Sequence, residues 1–255
     1  MMAESGTQHR GMPMSTSRIE IVESINEFAT LLKDIWISAA IQSIESNNFF
    51  SAALSGGNTP QVIYKSLAEI IPIEIWNKTR LFQVDERYVS PEHKDSNRKM
   101  ISETLIKSLP STKAEFHNID TDLSIEESAK SYESLIKNKV TCHNKIPSLD
   151  LVILGLGTDG HTASLFPESI VLDEKERLVS PVYTSSEMHD RITMTYPLLN
   201  KAHNIIYFIS GAEKADVLHN LLEKTYFHYP AAEIRPENGS LTFLCDRESA
   251  SKLYQ

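Results

Sequence analysis

Short apolar runs alternate with helix-patterned segments along almost the whole chain, and this alternation constrains the fold more than any other feature. Residues 18–22 are a β-branched run, and Ser24 with Glu27 three residues on is a capping-box signature. Ile25, Phe28, Leu32, Ile35 and Ala39 then recur at helical spacing to about Glu45. Residues 49–54 form the next strand, and a helix runs from about Pro60 to near Ile70, since proline suits a first helical turn. A third strand, 80–84, leads into the charged loop 85–97 and a helix to about Leu109. Ser124 and Glu127 make a second capping box for a helix through Ile136. Strands follow at 149–154 and 205–209, and the helix after the latter turns Ala215, Leu218 and Leu222 inward. A last strand, 241–244, precedes a short terminal helix from Asp246. Such β-α alternation predicts an α/β fold with a mostly parallel sheet and helices on both faces.

The chain's 255 residues, 41% of them apolar, suit one large domain or two small ones. One domain over 18–255, with room for a subsidiary lobe, is expected, because no repeat or long linker interrupts the pattern. A net charge of −9 and a pI near 5.5 exclude nucleic acid and anionic membrane surfaces as partners, since both need clustered positive charge. No apolar stretch approaches the roughly 20 residues that span a bilayer. Residues 1–17 are polar and lack a secretory h-region, so they read as a disordered tail, with Met14 as an alternative start. Cys142 and Cys245 lie far apart without C-x-x-C or H-E-x-x-H spacing. No disulfide, zinc framework or other metal site is expected, and the compartment is read as cytoplasmic.

The loops after the apolar strands carry the chemistry. Residues 154–167, Leu-Gly-Leu-Gly-Thr-Asp-Gly-His-Thr-Ala-Ser-Leu-Phe-Pro, set Asp159 two residues before His161 in a glycine-rich turn. The carboxyl ends of parallel strands are where α/β sheets bind ligands, so His161 is a candidate general base. The competing reading has Asp159 capping a following helix and His161 as a surface residue. Ser55, Gly56, Gly57, Asn58 and Thr59 resemble an anion cradle at a helix N-terminus, and equally an ordinary turn capped by Asn58 or Thr59. Neither G-x-G-x-x-G nor a Walker A pattern is present there, so no nucleotide cofactor is expected. Asp85, Glu86 and Arg87 read as a solvated salt-bridged turn, or as a place where Arg87 forks onto a phosphate or oxyanion. Arg191 lies in a strand-like alternation at 190–195. Lys214 falls in the first turn of the helix after Ser210-Gly211, where a bound anion or simple exposure would offset the helix dipole. The other histidines, His93 and His189 among them, share no spacing and read as scattered; Tyr226-Phe227-His228-Tyr229 reads as packing or a subunit contact.

Together the segments S-G-G-N-T-P, D-E-R-Y-V with D-S-N, L-G-L-G-T-D-G-H-T-A-S-L-F-P, R-I-T-M-T-Y-P, S-G-A-E-K-A-D and P-A-A-E-I-R-P resemble the 6-phosphogluconolactonase family, in order and at comparable intervals. The resemblance spans nearly everything from Arg18 onward. It implies a Rossmann-like doubly wound sheet and a cofactor-independent hydrolase of the pentose phosphate pathway, acting on a phosphosugar lactone as a monomer or small homo-oligomer. By that resemblance His161 matches the general base, with Asp159 its neighbour. Arg87 matches an arginine near the reacting end, and Ser55, Gly56, Gly57, Asn58, Thr59, Asp85, Arg191 and Lys214 match positions around the sugar phosphate. Asn58 stands where Ser or Thr is commoner, and Arg98 where an aromatic is frequent. Glucosamine-6-phosphate deaminases resemble the chain in the glycine loop and D-G-H, but continue into an acidic Asn-Glu-Pro segment where this chain has Leu165-Phe166-Pro167. A non-catalytic sugar-phosphate sensor would need an attached helix-turn-helix, for which the first 17 residues are too short and polar.

Overall fold

A computed structural model describes residues 17–111, 113–143, 146–185, 188–223 and 228–253. The tail expected over residues 1–17 lies outside these, apart from Ser17, and so do Tyr226 and Phe227. The elements, in chain order, are β1 (Ser17–Val22), α1 (Ile25–Asn47), β2 (Phe50–Leu54), α2 (Asn58–Ile70), α3 (Ile73–Trp76), β3 (Thr79–Gln83), β4 (Asp85–Arg87), α4 (Asn97–Thr104), β5 (Glu115–His117) and α5 (Ile125–Lys139). They continue with β6 (Cys142–His143), β7 (Ile146–Pro147), β8 (Leu151–Gly155), β9 (Val179–Val182), β10 (Arg191–Met194), α6 (Tyr196–Leu199), β11 (Asn204–Ile209), α7 (Ala215–Glu223) and β12 (Ser240–Asp246).

Both capping signatures start helices. Ser24 Oγ accepts the Glu27 amide at 3.3 Å, while the Glu27 carboxylate reaches back to the Glu23 amide. At α5 the reciprocal box of Ser124 and Glu127 is complete. Seven strands make one sheet in the order β1-β12-β11-β8-β2-β3-β5, and every pairing in it is parallel. Its side chains alternate strictly between two cores. Ala52, Leu54, Leu81, Leu151, Ile153, Ile206 and Phe208 pack under α1 to α4 on one face. Ala53, Phe82, Val152, Leu154, Tyr207 and Phe243 face α5 and α7 on the other. That second face is also covered by a small antiparallel sheet, β4-β10-β9, which puts Arg87 opposite Arg191 and Asp85 opposite Thr193.

The structure corrects four expectations. The helix expected to reach Leu109 ends at Thr104, and a separate 3-10 turn, Ile106–Ser108, follows. Among the described residues no helix follows Asp246; residues 247–253 form turns, with the Ser249 amide donating to the Asp246 carboxylate at 2.8 Å. The segment after β8 leads to a 3-10 turn at Ile170–Asp173, so Asp159 caps no helix. Asp85-Glu86-Arg87 is a strand, with Glu86 only 1% exposed, and not a solvated turn. Cys142 is exposed and Cys245 buried. Among the described residues no helix is long and apolar enough to cross a membrane.

From the centre the chain moves outward in two directions, β2 to β3 and β5 on one side, β8 to β11 and β12 on the other. Such a reversal opens a crevice at the carboxyl ends of the two central strands. Their register, Ala52 against Leu151 and Ala53 against Val152, is pinned at the opposite end by a buried carboxylate. Asp150 Oδ2 accepts from both the amide and the hydroxyl of Ser51 at 2.7 Å, and Ser51 Oγ accepts the Asp150 amide at 3.1 Å. Asp150→Ala leaves those donors buried and unpaired, and is expected to lower the unfolding free energy by about 3 kcal/mol. Urea denaturation checks this; a loss below about 0.5 kcal/mol, the scale of a neutral surface change, would show that the pin is dispensable.

Candidate active site

The crevice is lined by loops that leave adjacent strands. After β8 the backbone folds back on itself, with the Gly157 amide donating to His161 O at 2.8 Å and the Gly160 amide to Gly157 O at 3.0 Å. A side chain on Gly157 would fall on the His161 ring and the Asp159 carboxylate, so only glycine admits their approach. Asp159 Oδ1 accepts from His161 Nδ1 at 2.5 Å and from the His161 amide at 3.2 Å. A carboxylate can only accept, so this bond puts the imidazole proton on Nδ1 and leaves Nε2 as the basic nitrogen. Burial pushes the Asp159 carboxyl up, but the amide, charge and ring of His161 outweigh it and hold it below its ordinary value.

Phe166 links this pair to the arginines. Its ring centroid lies 4.7 Å from that of His161, tilted by 44°, and the Arg191 guanidinium carbon stands 5.9 Å from the same ring. Arg191 in turn faces Arg87 across the β4–β10 pair. Like charges directly opposite in a sheet repel. Burial first, and then the Arg87 charge, pull the Arg191 guanidinium below its ordinary range, against the opposing pull of Asp85, Glu86 and Asp95. Arg87 spends one donor on Asp95 O at 2.6 Å, and its buried Nε has no partner among the described residues.

Two buried carboxylates hold the loops together. Asp85 accepts from Ser164 Oγ at 2.6 Å and from Asn97 Nδ2 at 3.4 Å, tying β4 to the loop that carries His161. Glu86 accepts the amides of Asn97 and Arg98 at 2.7 Å and of Arg87 at 2.8 Å, together with Gln83 and Ser96, so it fills the N-terminus of α4 from within. Burial raises the Glu86 pKa above its ordinary value, and those bonds offset only part of the rise.

The glycine loop sits on the neighbouring strand end. Gly57, at φ 115°, is the N-cap of α2 with no side-chain cap, so the first amides of that helix stay open to an anion. The N-cap is therefore Gly57 rather than Asn58 or Thr59. Ser55 is 4% exposed, and its hydroxyl has no partner among the described residues. Gly56 lies against Asn97, which joins this loop to the Asp85 network. Lys214 closes the 3-10 turn Ala212–Lys214 at the edge of α7, just ahead of the helix turn expected for it. Its strand, β11, pairs with β8, which carries the Asp159–His161 loop. Asp246 fixes its loop by accepting from Ser210 Oγ at 2.5 Å and from the Gly211 amide at 3.0 Å.

Sequence reasoning missed Glu86, Asn97, Ser164 and Phe166 as parts of this arrangement. Their roles depend on burial and long-range pairing, which local spacing does not carry. It also read His93 and His189 as scattered, whereas Asp95 brings the two together.

The family model described as glucosamine-6-phosphate isomerases/6-phosphogluconolactonase matches residues 23–243. A 6-phosphogluconolactonase of Synechocystis is 36% identical over 206 residues, covering 79% of this chain and 83% of the relative. One of Nostoc is 33% identical over 225 residues, covering 86% and 91%. The solved structure of 6-phosphogluconolactonase from Trypanosoma cruzi superposes with a TM-score of 0.83 at 29% identity, covering 97% of this chain and 100% of that one.

Burial pushes the Asp246 carboxyl up, but the bonds from Ser210, Ser249 and Gly211 outweigh it and hold it low. With the folded pKa depressed, this stabilisation is complete above the ordinary value of about 3.9 and is lost as the pH falls through the folded value. The difference in Tm between wild type and Asp246→Asn is therefore expected to shrink as the pH drops from about 5 to about 2.5. A difference that is constant over that range would show that the ionised carboxylate does not hold the loop.

Proposed function

Because this chain belongs to the glucosamine-6-phosphate isomerase/6-phosphogluconolactonase family, we propose that it hydrolyses 6-phospho-D-glucono-1,5-lactone to 6-phospho-D-gluconate in the pentose phosphate pathway, with His161 as the general base. The observation that carries the assignment of the base is the bond from His161 Nδ1 to Asp159, which leaves Nε2 to accept a proton. Nε2 takes a proton from water as its oxygen attacks the lactone carbonyl carbon. The C1–O5 bond of the tetrahedral adduct then breaks, and the same imidazole returns the proton to the departing ring oxygen. Asp159 holds the tautomer and stabilises the imidazolium in between.

Arg87 stabilises the oxyanion with its unused donors, and Arg191 and Lys214 hold the phosphate with the amides and hydroxyls of residues 55–59. The opposed Arg87 and Arg191 support an anion in this place, since like charges set opposite each other repel without one. Asp85 serves the site by holding the His161 loop through Ser164. No step calls for a metal or cofactor, and we place the reaction in the cytoplasm. The segment after His161 disfavours amino-sugar deamination, because Phe166 occupies the imidazole face where a carboxylate would do acid–base work.

His161→Ala is expected to lower kcat at least about a hundredfold, the scale of a lost general base, with KM largely kept. Arg191→Ala and Lys214→Ala should instead mainly raise KM. Steady-state kinetics on fresh lactone separate the two effects. Near-normal kcat in His161→Ala would remove the base, and unchanged KM in both cation variants would put the phosphate elsewhere.

A further inference from the structure

Beside the candidate site, and outside the chemistry assigned to it, three metal-ligating side chains converge from two separate loops. His93 and Asp95 come from the turn after β4, and His189 from the loop ahead of β10. One donor atom from each lies within 4.8 Å of the other two. His189 Nε2 is 3.3 Å from Asp95 Oδ2, and His93 Nδ1 is 3.7 Å from the same oxygen. The two imidazoles meet edge to face with centroids 5.2 Å apart. Ligands on a tetrahedral zinc with bonds of about 2.0–2.1 Å stand roughly 3.3 Å from one another, so small side-chain rotations bring this set to coordination distance. We propose that His93, Asp95 and His189 form a binding site for a divalent transition metal of the zinc class, clamping the two arginine-bearing loops together.

The donor chemistry selects the class. Two imidazole nitrogens and one carboxylate oxygen suit zinc and its neighbours, whereas calcium and magnesium take oxygen sets. The Asp95 amide donates to His93 Nδ1 at 3.2 Å, and a metal at that nitrogen takes the place of this bond. Zinc on His189 Nε2 takes the place of the proton shared with Asp95, and the single proton of the neutral ring then sits on Nδ1. The side chains are 37%, 42% and 44% exposed, so an ion reaches them from solvent and open coordination positions stay with water.

The backbones of two of the ligands are already fixed by the arginines. Asp95 O accepts from Arg87 and His189 O from Arg191 Nε at 3.0 Å. The turn itself is closed by the His93 amide on Ser90 O at 2.8 Å and the Ser96 amide on His93 O at 3.1 Å. An ion on the three side chains therefore cross-links β4 and β10 behind Arg87 and Arg191.

Zinc titration of the full chain in competition with a chromogenic chelator tests the proposal without reference to turnover. The wild type is expected to take up one equivalent, and its Tm to rise with zinc. His93→Ala and His189→Ala are each expected to weaken binding at least about tenfold and to lose the Tm rise, with metal-free melting curves matching the wild type. His161→Ala should bind as the wild type does. The proposal is overturned if the wild type does not compete with the chelator, if either His93 or His189 can be removed without loss, or if the binding follows His161.

Discussion

Where β2 meets β8, the sheet's two halves run apart, and the loops that leave these strands cannot cover each other. Parallel pairing forces all the carboxyl ends to one edge, so the glycine cradle, the Asp159–His161 turn and the Lys214 loop become neighbours although about 100 residues separate the first two. The buried bonds between Asp150 and Ser51 lock this junction from the opposite edge. A slip of one residue in that register would exchange the two cores and turn the loops away from each other.

The site is assembled from charges that the fold has to manage. Asp85 and Glu86 are almost wholly buried, and each is satisfied by several donors, so their cost of desolvation is exchanged for the rigid placement of α4 and the His161 loop. Arg87 and Arg191 are set face to face, and Asp85, Glu86 and Asp95 act on Arg191 against that repulsion. The Phe166 ring packs against the His161 imidazole and lies within 5.9 Å of the Arg191 guanidinium carbon.

Much of this was legible from residue patterns. The β-α alternation, the two capping boxes and the strand-end positions of Ser55, Asp159 and His161 were readable because each depends on local spacing. The D-E-R segment was misread for a physical reason. Charged residues in a row suggest solvent, but Glu86 is buried by backbone amides of Asn97 and Arg98, which contribute no sequence signal. The strand-like alternation that became β10 was readable, but its pairing with β4 was hidden, since the two strands are three or four residues long and pair across about 100 residues of chain. The meeting of His93 with His189 follows from that pairing and was invisible for the same reason.

The account rests on His161, held in one tautomer by Asp159, opening a phosphosugar lactone. A pH-stat or dehydrogenase-coupled assay on freshly made 6-phosphogluconolactone, run beside glucosamine 6-phosphate and against the spontaneous rate, tests this most directly. The account predicts acid release well above the spontaneous rate from the lactone and no ammonia from the amino sugar. Lactone opening at the spontaneous rate, or ammonia release from glucosamine 6-phosphate, would contradict it.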